Sequence, residues 1–306
     1  MLYRLLDILA CPTDRGFPLT PVVDLESRTN TPFERPKACR VFCALEKKLP
    51  AFDACFDCHQ REIIAGALVC PVCGQRYSII DGIADLMRPD FFDERAADEI
   101  MDQRREMKTR DLMAERYDSM PPMRWASRFE IPLAASILDQ APALQAIELG
   151  SGTGRLTAML AERSDLVLAV DFSMDSLVIN KEKLAKKPHV QYVRAEICSL
   201  PVRDSVFDTA LSCQVFEHIP DEEMRRRAAG EAARVLAKDG NFVISAYRQL
   251  WFSRIFGRKE SYHFGGIYYN RFTPDEFKAL LDPYFQIDVY RPKMGGFVQM
   301  AGCRKL

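Results

Sequence analysis

The chain has 306 residues, enough for two domains, and its 48% hydrophobic and 28% charged residues are typical of globular proteins rather than disordered ones. Its formal net charge of −1 gives no global electrostatic case for binding nucleic acid and leaves room only for a local basic patch. We find no run of about 18 apolar residues, so we expect no transmembrane helix. The N-terminus lacks the apolar core of a signal peptide, and we expect a cytoplasmic protein.

Cysteines crowd the N-terminal part, where seven of the ten lie within the first 73 residues. In a reducing compartment this crowding indicates a bound metal rather than disulfides. Two Cys-x-x-Cys pairs can each place two thiolates on one tetrahedral zinc ion, with a structural role because no coordination position stays open. The predicted zinc ligands are Cys55, Cys58, Cys70 and Cys73. The alternative is a set of reduced thiols without metal.

Three segments differ in composition. Residues 1–88 are rich in Cys and Pro with short strand-like runs, which indicates a small zinc-ribbon-like domain. Residues 89–125 are dense in charges and helix formers and are predicted to form one or two helices, stopped by Pro121-Pro122. Residues 126–306 alternate apolar runs with helical stretches, which predicts an α/β domain with a mostly parallel sheet.

The predicted elements of this third segment follow one another closely. Strands are expected at residues 145–149, 166–170, 190–194, 206–212 and 241–247, and helices at 155–163, 174–187 and 221–237. Thr273 and Glu276 form a capping box that opens a further helix. Two last strands, about 285–290 and 297–303, are expected to pair as an antiparallel hairpin and to complete a seven-stranded Rossmann-like sheet.

A glycine loop at residues 150–154 follows the first of these strands and precedes a helix. Glycines there allow a sharp turn and close approach of a ligand, and about twenty residues later Asp171 can accept hydrogen bonds from two ribose hydroxyls. Both a dinucleotide and S-adenosylmethionine fit this layout. The Gly-x-Gly-x-Gly spacing, with Arg155 where a dinucleotide binder has its third glycine, and Glu148 at the strand end favour S-adenosylmethionine.

Residues 145–281 resemble the class I S-adenosylmethionine-dependent methyltransferases, in particular the branch of ubiquinone- and menaquinone-biosynthesis enzymes. Matching stretches occur in order at residues 148–154, at Asp171, and at residues 194–201, 207–219 and 231–242. The resemblance implies a cofactor site at Glu148, Gly150, Ser151, Gly152, Gly154, Asp171, Phe172, Ser173, Ala195, Glu196, Ile197, Gln214 and Val215. Glu148 and Glu196 stand where the family more often has Asp.

The N-terminal segment resembles the small zinc-ribbon protein that activates several tRNA and protein methyltransferases. Residues 5–12 and 69–83 look like its two ends, but about forty extra residues lie between the halves. Asp14 stands where a second cysteine of the first pair is often found. The first pair of metal ligands therefore has alternatives, since Cys55 and Cys58 can replace it or Cys11 can compete.

Candidate catalytic residues lie beyond the fourth strand. His218 is a candidate general base, with capping of the next helix as the alternative, and His263 lies in an aromatic, cation-rich segment at 248–271. Aromatic rings with cations suit a planar or anionic acceptor, although they also suit simple packing. The helical segment 89–125 is expected to fold over the cofactor.

Three functions fit these features. The first is methylation of a small aromatic or lipid-like acceptor. The second is methylation of rRNA or tRNA by an enzyme whose zinc segment binds RNA, which the neutral charge and the absence of a Lys/Arg-rich stretch in that segment disfavour. The third is a non-catalytic module that binds the cofactor or a partner. The sequence specifies neither the acceptor atom nor the oligomeric state.

Overall fold

A computed structural model describes residues 1–28, 43–45, 47, 57–93, 98–139, 145–250, 259–263 and 265–306. No helix in these ranges combines the length and the apolar content needed to cross a bilayer. The predicted zinc ligand Cys55 and part of the aromatic, cation-rich segment, residues 251–258, lie outside the described residues.

The N-terminal part contributes four antiparallel strands. They are β1 (Thr20–Arg28), β2 (Arg61–Val69), β3 (Arg76–Ile80) and β4 (Ile83–Asp85), with a 3-10 helix at Tyr3–Asp7 and one helical turn, α1 (Asp57–Gln60). Two long helices follow, α2 (Asp98–Tyr117) and α3 (Pro121–Leu138).

The C-terminal part has seven strands in the main sheet. They are β5 (Gln145–Leu149), β6 (Leu166–Asp171), β7 (Val190–Arg194), β8 (Phe207–Cys213), β9 (Leu236–Tyr247), β12 (Phe285–Lys293) and β13 (Val298–Lys305). Their helices are α4 (Thr157–Ala161), α5 (Met174–Lys183), α6 (Glu222–Val235) and α7 (Pro274–Leu281). A separate hairpin joins β10 (Glu260–Tyr262) to β11 (Tyr268–Asn270).

The strand order β7-β6-β5-β8-β9-β13-β12 confirms the predicted seven-stranded Rossmann-like sheet. The five central strands run parallel, and β5 and β6 are buried along their whole length, as expected for strands covered on both faces. The predicted final hairpin is confirmed, and β13 inserts antiparallel between β9 and β12. The chain order reverses between β5 and β8, where open α/β sheets bind ligands at the carboxyl ends of their strands.

The helical segment stops before Pro121-Pro122 as expected, because α2 ends at Tyr117, but a second helix, α3, begins at Pro121. Proline is well tolerated in the first turn of a helix, where its missing N–H has no intrahelical acceptor. The helix then continues to Leu138, so the expected boundary at residue 126 falls inside α3.

The cysteine-rich segment is continuous with the larger sheet rather than attached by a linker. Strand β4 pairs in parallel with β7, through Ala84 opposite Val193, and extends the sheet to eleven strands. Leu5, Leu6 and Leu9 are buried in the same hydrophobic cluster as the central strands. The N-terminal segment therefore contributes to the core that supports the ligand-binding edge.

Candidate functional site

The glycine loop turns sharply between β5 and α4. Gly150, Gly152 and Gly154 all have positive φ angles, of 73°, 51° and 89°, which glycine adopts without strain. A Cβ at Gly150 would lie 2.5 Å from Val215 Cγ2, and a Cβ at Gly154 would lie 2.3 Å from Asn180 Oδ1. Gly152 has nothing within 4 Å of the Cβ position, so this point of the loop is open to a ligand.

Asp171, at the end of β6, is tied to this loop. Its Oδ2 accepts a hydrogen bond from the Gly152 amide at 2.7 Å, and its Oδ1 accepts one from the Ser173 amide at 2.9 Å. Burial raises the pKa of the Asp171 carboxyl, and the two amides oppose that shift. The acid is therefore held in a fixed orientation with oxygen lone pairs left for a ligand.

A cleft of about 980 Å³, its open mouth included, lies over the carboxyl ends of β5, β6, β7 and β8. Eleven of the thirteen predicted cofactor-binding residues line it. They are Glu148, Gly150, Ser151, Gly152, Asp171, Phe172, Ala195, Glu196, Ile197, Gln214 and Val215. Gln214 holds a left-handed φ of 57°, which a non-glycine residue adopts at some cost and which is frequent at functional sites.

The other two predicted residues support the cleft without lining it. Gly154 packs against Asn180 of α5. Ser173 caps the N-terminus of α5 by accepting a hydrogen bond from the Ser176 amide at 3.2 Å, and its hydroxyl donates to Asp111 Oδ1 at 2.5 Å. Both residues therefore shape the loop rather than contact the cavity.

One face of α2 covers the cleft, as expected for the helical segment. This face consists of Gln103, Glu106, Arg110, Ala114 and Tyr117. The sequence interpretation missed most of these residues, although their spacing of three or four is that of one helical face. Arg110 donates to Glu106 at 3.0 Å, and burial raises the pKa of Glu106 to about 7.

Two buried polar atoms in the lining are unsatisfied. Within the described part of the chain, neither the Ser151 hydroxyl nor the Gln103 carbonyl oxygen has a hydrogen-bond partner. Buried polar groups normally have partners, so such atoms indicate that a polar ligand completes the site. The open position at Gly152, the Asp171 carboxylate and these two atoms fit a ligand with ribose and amino-acid groups.

Glu148 is buried beneath the loop and hydrogen-bonded by its neighbour. The Thr157 hydroxyl donates to Glu148 Oε2 at 2.6 Å, and burial raises the pKa of the carboxyl from 4.5 to about 8. The folded protein therefore binds a proton at Glu148 that the unfolded chain releases above about pH 4.5.

We expect Glu148→Gln to change how stability depends on pH. The stability that protonated Glu148 contributes to the folded protein is fully present below about pH 4.5 and is lost as pH rises through about 8. Gln at this position stays neutral, so its contribution does not change with pH. Urea unfolding from pH 5 to 8 should show wild type losing up to about 1.4 kcal/mol per pH unit relative to the variant. Glu162→Gln is the control, because Lys187 lowers the pKa of this exposed acid instead. If the free energies of unfolding of wild type and Glu148→Gln change with pH in the same way, the raised pKa of Glu148 is contradicted.

His218 lies in a 3-10 turn after β8 and lines the cleft. Its Nδ1 lies 2.7 Å from the backbone oxygen of Tyr268 in β11. A carbonyl only accepts hydrogen bonds, so Nδ1 carries the proton and Nε2 keeps its lone pair. Burial, helped by Arg110, holds the pKa of His218 well below its usual range, so the ring is a neutral base at pH 7.

His263, the second predicted catalytic residue, is not among the residues that line the cleft. Its exposed ring lies 5.9 Å from the ring of His218 and 4.3 Å from that of Tyr269. Tyr247 contacts both histidines at ring distances of 5.8 and 5.9 Å. His263 therefore packs against the rings of His218 and Tyr247 and does not itself line the cleft.

A cluster of metal-ligating side chains lies on the cysteine-rich segment, at Cys11, Asp14, Cys70 and Cys73, here called the Cys3Asp cluster. One ligand atom from each residue lies within 4.8 Å of the other three. Cys11 and Cys73 sulfurs are 3.7 Å apart, close to the ~3.8 Å edge of a zinc tetrahedron with ~2.3 Å Zn–S bonds. Two tight turns bring these ligand atoms together. The first passes so close to the second that a Cβ on Gly16 would lie 2.5 Å from Cys70 Sγ.

Among the described residues, the Cys3Asp cluster overlaps the predicted metal ligands only in part. Cys70 and Cys73 belong to the Cys3Asp cluster, but Cys58 does not. Cys58 is buried on α1, outside this cluster. Asp14 and Cys11 occupy the other two positions, and Cys55 lies outside the described residues.

Comparisons with known proteins agree with both resemblances. A family described as "Methyltransferase domain" matches residues 147–244, and one described as "Trm112p-like protein" matches residues 3–82. An uncharacterized methyltransferase of Anoxybacillus flavithermus is 32% identical over 99 residues, which is 32% of this chain and 45% of the relative. Demethylmenaquinone methyltransferase of Clavibacter sepedonicus is 31% identical over 101 residues, 33% of this chain and 40% of the relative. The chain spans about half the length of the curated relatives it matches.

Solved structures share the fold. The 1,6-didemethyltoxoflavin-N1-methyltransferase of Burkholderia thailandensis superposes with a TM-score of 0.54 at 20% identity, over 77% of this chain and 97% of that one. The N-methyltransferase NodS of Bradyrhizobium japonicum, in complex with S-adenosylhomocysteine, gives 0.51 at 16% identity, over 66% and 97%. At these identities the likeness shows the fold alone.

Proposed function

We propose, on the premise that the chain joins a Trm112p-like segment to a methyltransferase domain, that it transfers a methyl group from S-adenosylmethionine to a small-molecule acceptor. The observation that carries the proposal is the cleft at the carboxyl ends of the parallel strands, in which the glycine loop and Asp171 lie together.

Different residues of the cleft suit different groups of the cofactor. Asp171 suits two ribose hydroxyls, and Ala195, Glu196 and Ile197 line the side expected to hold the adenine. Ser151 and Gln103 each offer an unsatisfied oxygen. S-adenosylmethionine supplies a methyl group on a positively charged sulfur, so the protein's main task is to hold the acceptor close and aligned.

His218 is the residue best placed to take a proton from the acceptor. Its ring is neutral, its Nδ1–H is fixed by the Tyr268 carbonyl, and it lines the same cleft as the cofactor residues. An acceptor hydroxyl or acidic C–H has to lose a proton, and a fixed Nε2 lone pair can accept it. We assign the base to His218 alone and give His263 a supporting contact through Tyr247.

A small acceptor is favoured over RNA for three reasons. The long helix α2 covers the cleft with Arg110 and Tyr117, which leaves a pocket rather than a groove. The net charge of −1 gives no broad attraction to phosphates. A relative named demethylmenaquinone methyltransferase also supports a small-molecule acceptor.

We further propose that the Cys3Asp cluster binds one structural zinc ion. Three sulfurs and a carboxylate are a suitable donor set, and the two turns that carry them already face each other. With four protein ligands the ion has no open position, so its role is to stabilise the fold.

An acceptor screen tests the function. Purified protein with S-adenosylmethionine should release S-adenosylhomocysteine with phenolic or quinol acceptors and not with tRNA or rRNA fragments. Turnover with RNA that falls steeply with added salt would favour the RNA alternative instead. Cofactor binding without turnover on any acceptor would support the non-catalytic alternative.

A further inference from the structure

The outer face of α3 exposes two large aromatic side chains. Trp125 is 50% exposed and Phe129 is 38% exposed, and their rings meet edge to face at 5.2 Å. They lie four residues apart and therefore on one face of the helix. Clustered apolar side chains on a surface mark a site of interaction more often than isolated ones do.

The same face is positively charged. Arg124 and Arg128 are exposed and alternate with the two aromatic residues, and within the described residues neither forms a salt bridge. The one acid of α3, Glu130, is buried and binds Arg155 at 2.8 Å. The exposed surface of this helix segment is thus aromatic and cationic, without a compensating acid on the helix.

The N-terminal half of α3 lies at the edge of the sheet where the cleft opens, and the side of the helix opposite to the exposed face contacts the cleft residue Arg155. Arg155, which lines the cleft, donates to Glu130 and also lies 3.5 Å from the Ser127 hydroxyl. Phe297, 55% exposed, is at the same edge, because Val298 pairs with Tyr247 at the carboxyl end of β9. Exposed aromatic side chains therefore occur on two elements near the mouth of the site.

We propose that this face, defined by Arg124, Trp125, Arg128 and Phe129, docks the protein on an anionic lipid surface. Aromatic side chains enter the boundary between headgroups and acyl chains, and arginines beside them pair with anionic headgroups. Docking brings the cleft to the lipid surface, so that acceptors dissolved in the membrane can reach it. That consequence rests on the proposed methyl transfer, whereas the docking itself does not.

Charge favours a membrane over a second copy of the chain. A twofold contact through this face would bring the two arginines of each copy toward those of the other, and like charges across an interface are unfavourable. An anionic bilayer instead neutralises all of them at once.

Vesicle sedimentation tests the proposal. The full chain should pellet with phosphatidylcholine vesicles that contain phosphatidylglycerol and stay in solution with pure phosphatidylcholine. The double variant Arg124→Gln/Arg128→Gln should partition roughly 30-fold less, since each basic residue near such a surface contributes about fivefold. Trp125→Ala/Phe129→Ala should also lose binding, and Leu25→Ala, an equally exposed residue on β1, should bind like wild type.

Circular dichroism shows whether each variant is folded, and binding of S-adenosylhomocysteine reports on the proposed function separately. The proposal fails if wild type does not pellet, or if it pellets equally with uncharged vesicles. It also fails if wild type is a dimer that Trp125→Ala/Phe129→Ala converts to monomers, because a second copy then covers the face.

Discussion

His218→Ala lowers the turnover number by about 10²- to 10⁴-fold, the range expected when a general base is removed, and leaves S-adenosylhomocysteine binding intact. The reason is that His218 lines the cleft and its Nδ1–H is held by the Tyr268 carbonyl, which leaves Nε2 as the ring nitrogen that can accept a proton. Steady-state kinetics on an acceptor found in the screen would measure the effect.

The pH profile separates a base from a merely structural histidine. Since burial lowers the pKa of His218, the wild-type rate should stay constant from pH 8 down to about 6.5 and fall only below that range. His263→Ala should keep this profile and cost less activity, and His189→Ala, remote from the cleft, should change neither. If the wild-type rate instead falls near pH 6.5, and this fall is absent in His263→Ala, then His263 rather than His218 is the base.

Each chain is expected to contain one zinc ion, and Cys70→Ser should remove it and lower the free energy of unfolding by at least about 3 kcal/mol. Structural zinc contributes folding free energy directly, and here the two turns that hold it abut the core shared with the main sheet. Metal analysis and urea unfolding, with and without a chelator, would measure both quantities.

Two matched variants sharpen this test. Cys58→Ser should retain the zinc, because Cys58 lies outside the Cys3Asp cluster. Asp14→Cys should also retain it, because a thiolate is a good zinc ligand at the same position. Protein that contains no zinc when purified without chelator, or zinc that is lost in Cys58→Ser and kept in Cys70→Ser, would contradict the assignment.

Local motifs made the fold and much of the cleft predictable. The glycine loop, Asp171 and the segment around Glu196 each lie at the end of an apolar strand, and parallel strands bring their carboxyl ends to one edge. Their pattern is contiguous in the chain, so it can be recognised before the structure is known.

The misses have physical causes. The α2 residues that cover the cleft lie far from the loop in sequence, and only tertiary packing decides which helical face points inward. Asp14 looks like any surface acid until the turn around it faces Cys70, and the Cys-x-x-Cys spacing does not show that Cys58 lies apart from Cys70 and Cys73. The local sequence does not distinguish two roles of Pro121, because proline interrupts a helix interior but is well tolerated in the first turn of a new helix.

Calorimetric titration with S-adenosylhomocysteine tests the central claim most directly. Wild type should bind with micromolar affinity, and Asp171→Ala should weaken binding by about 100-fold or more, because hydrogen bonds to a charged acceptor contribute about 1.5–3 kcal/mol each. Asp288→Ala, on the distant strand β12, should bind like wild type. Absence of binding to folded wild-type protein would contradict the methyltransferase account.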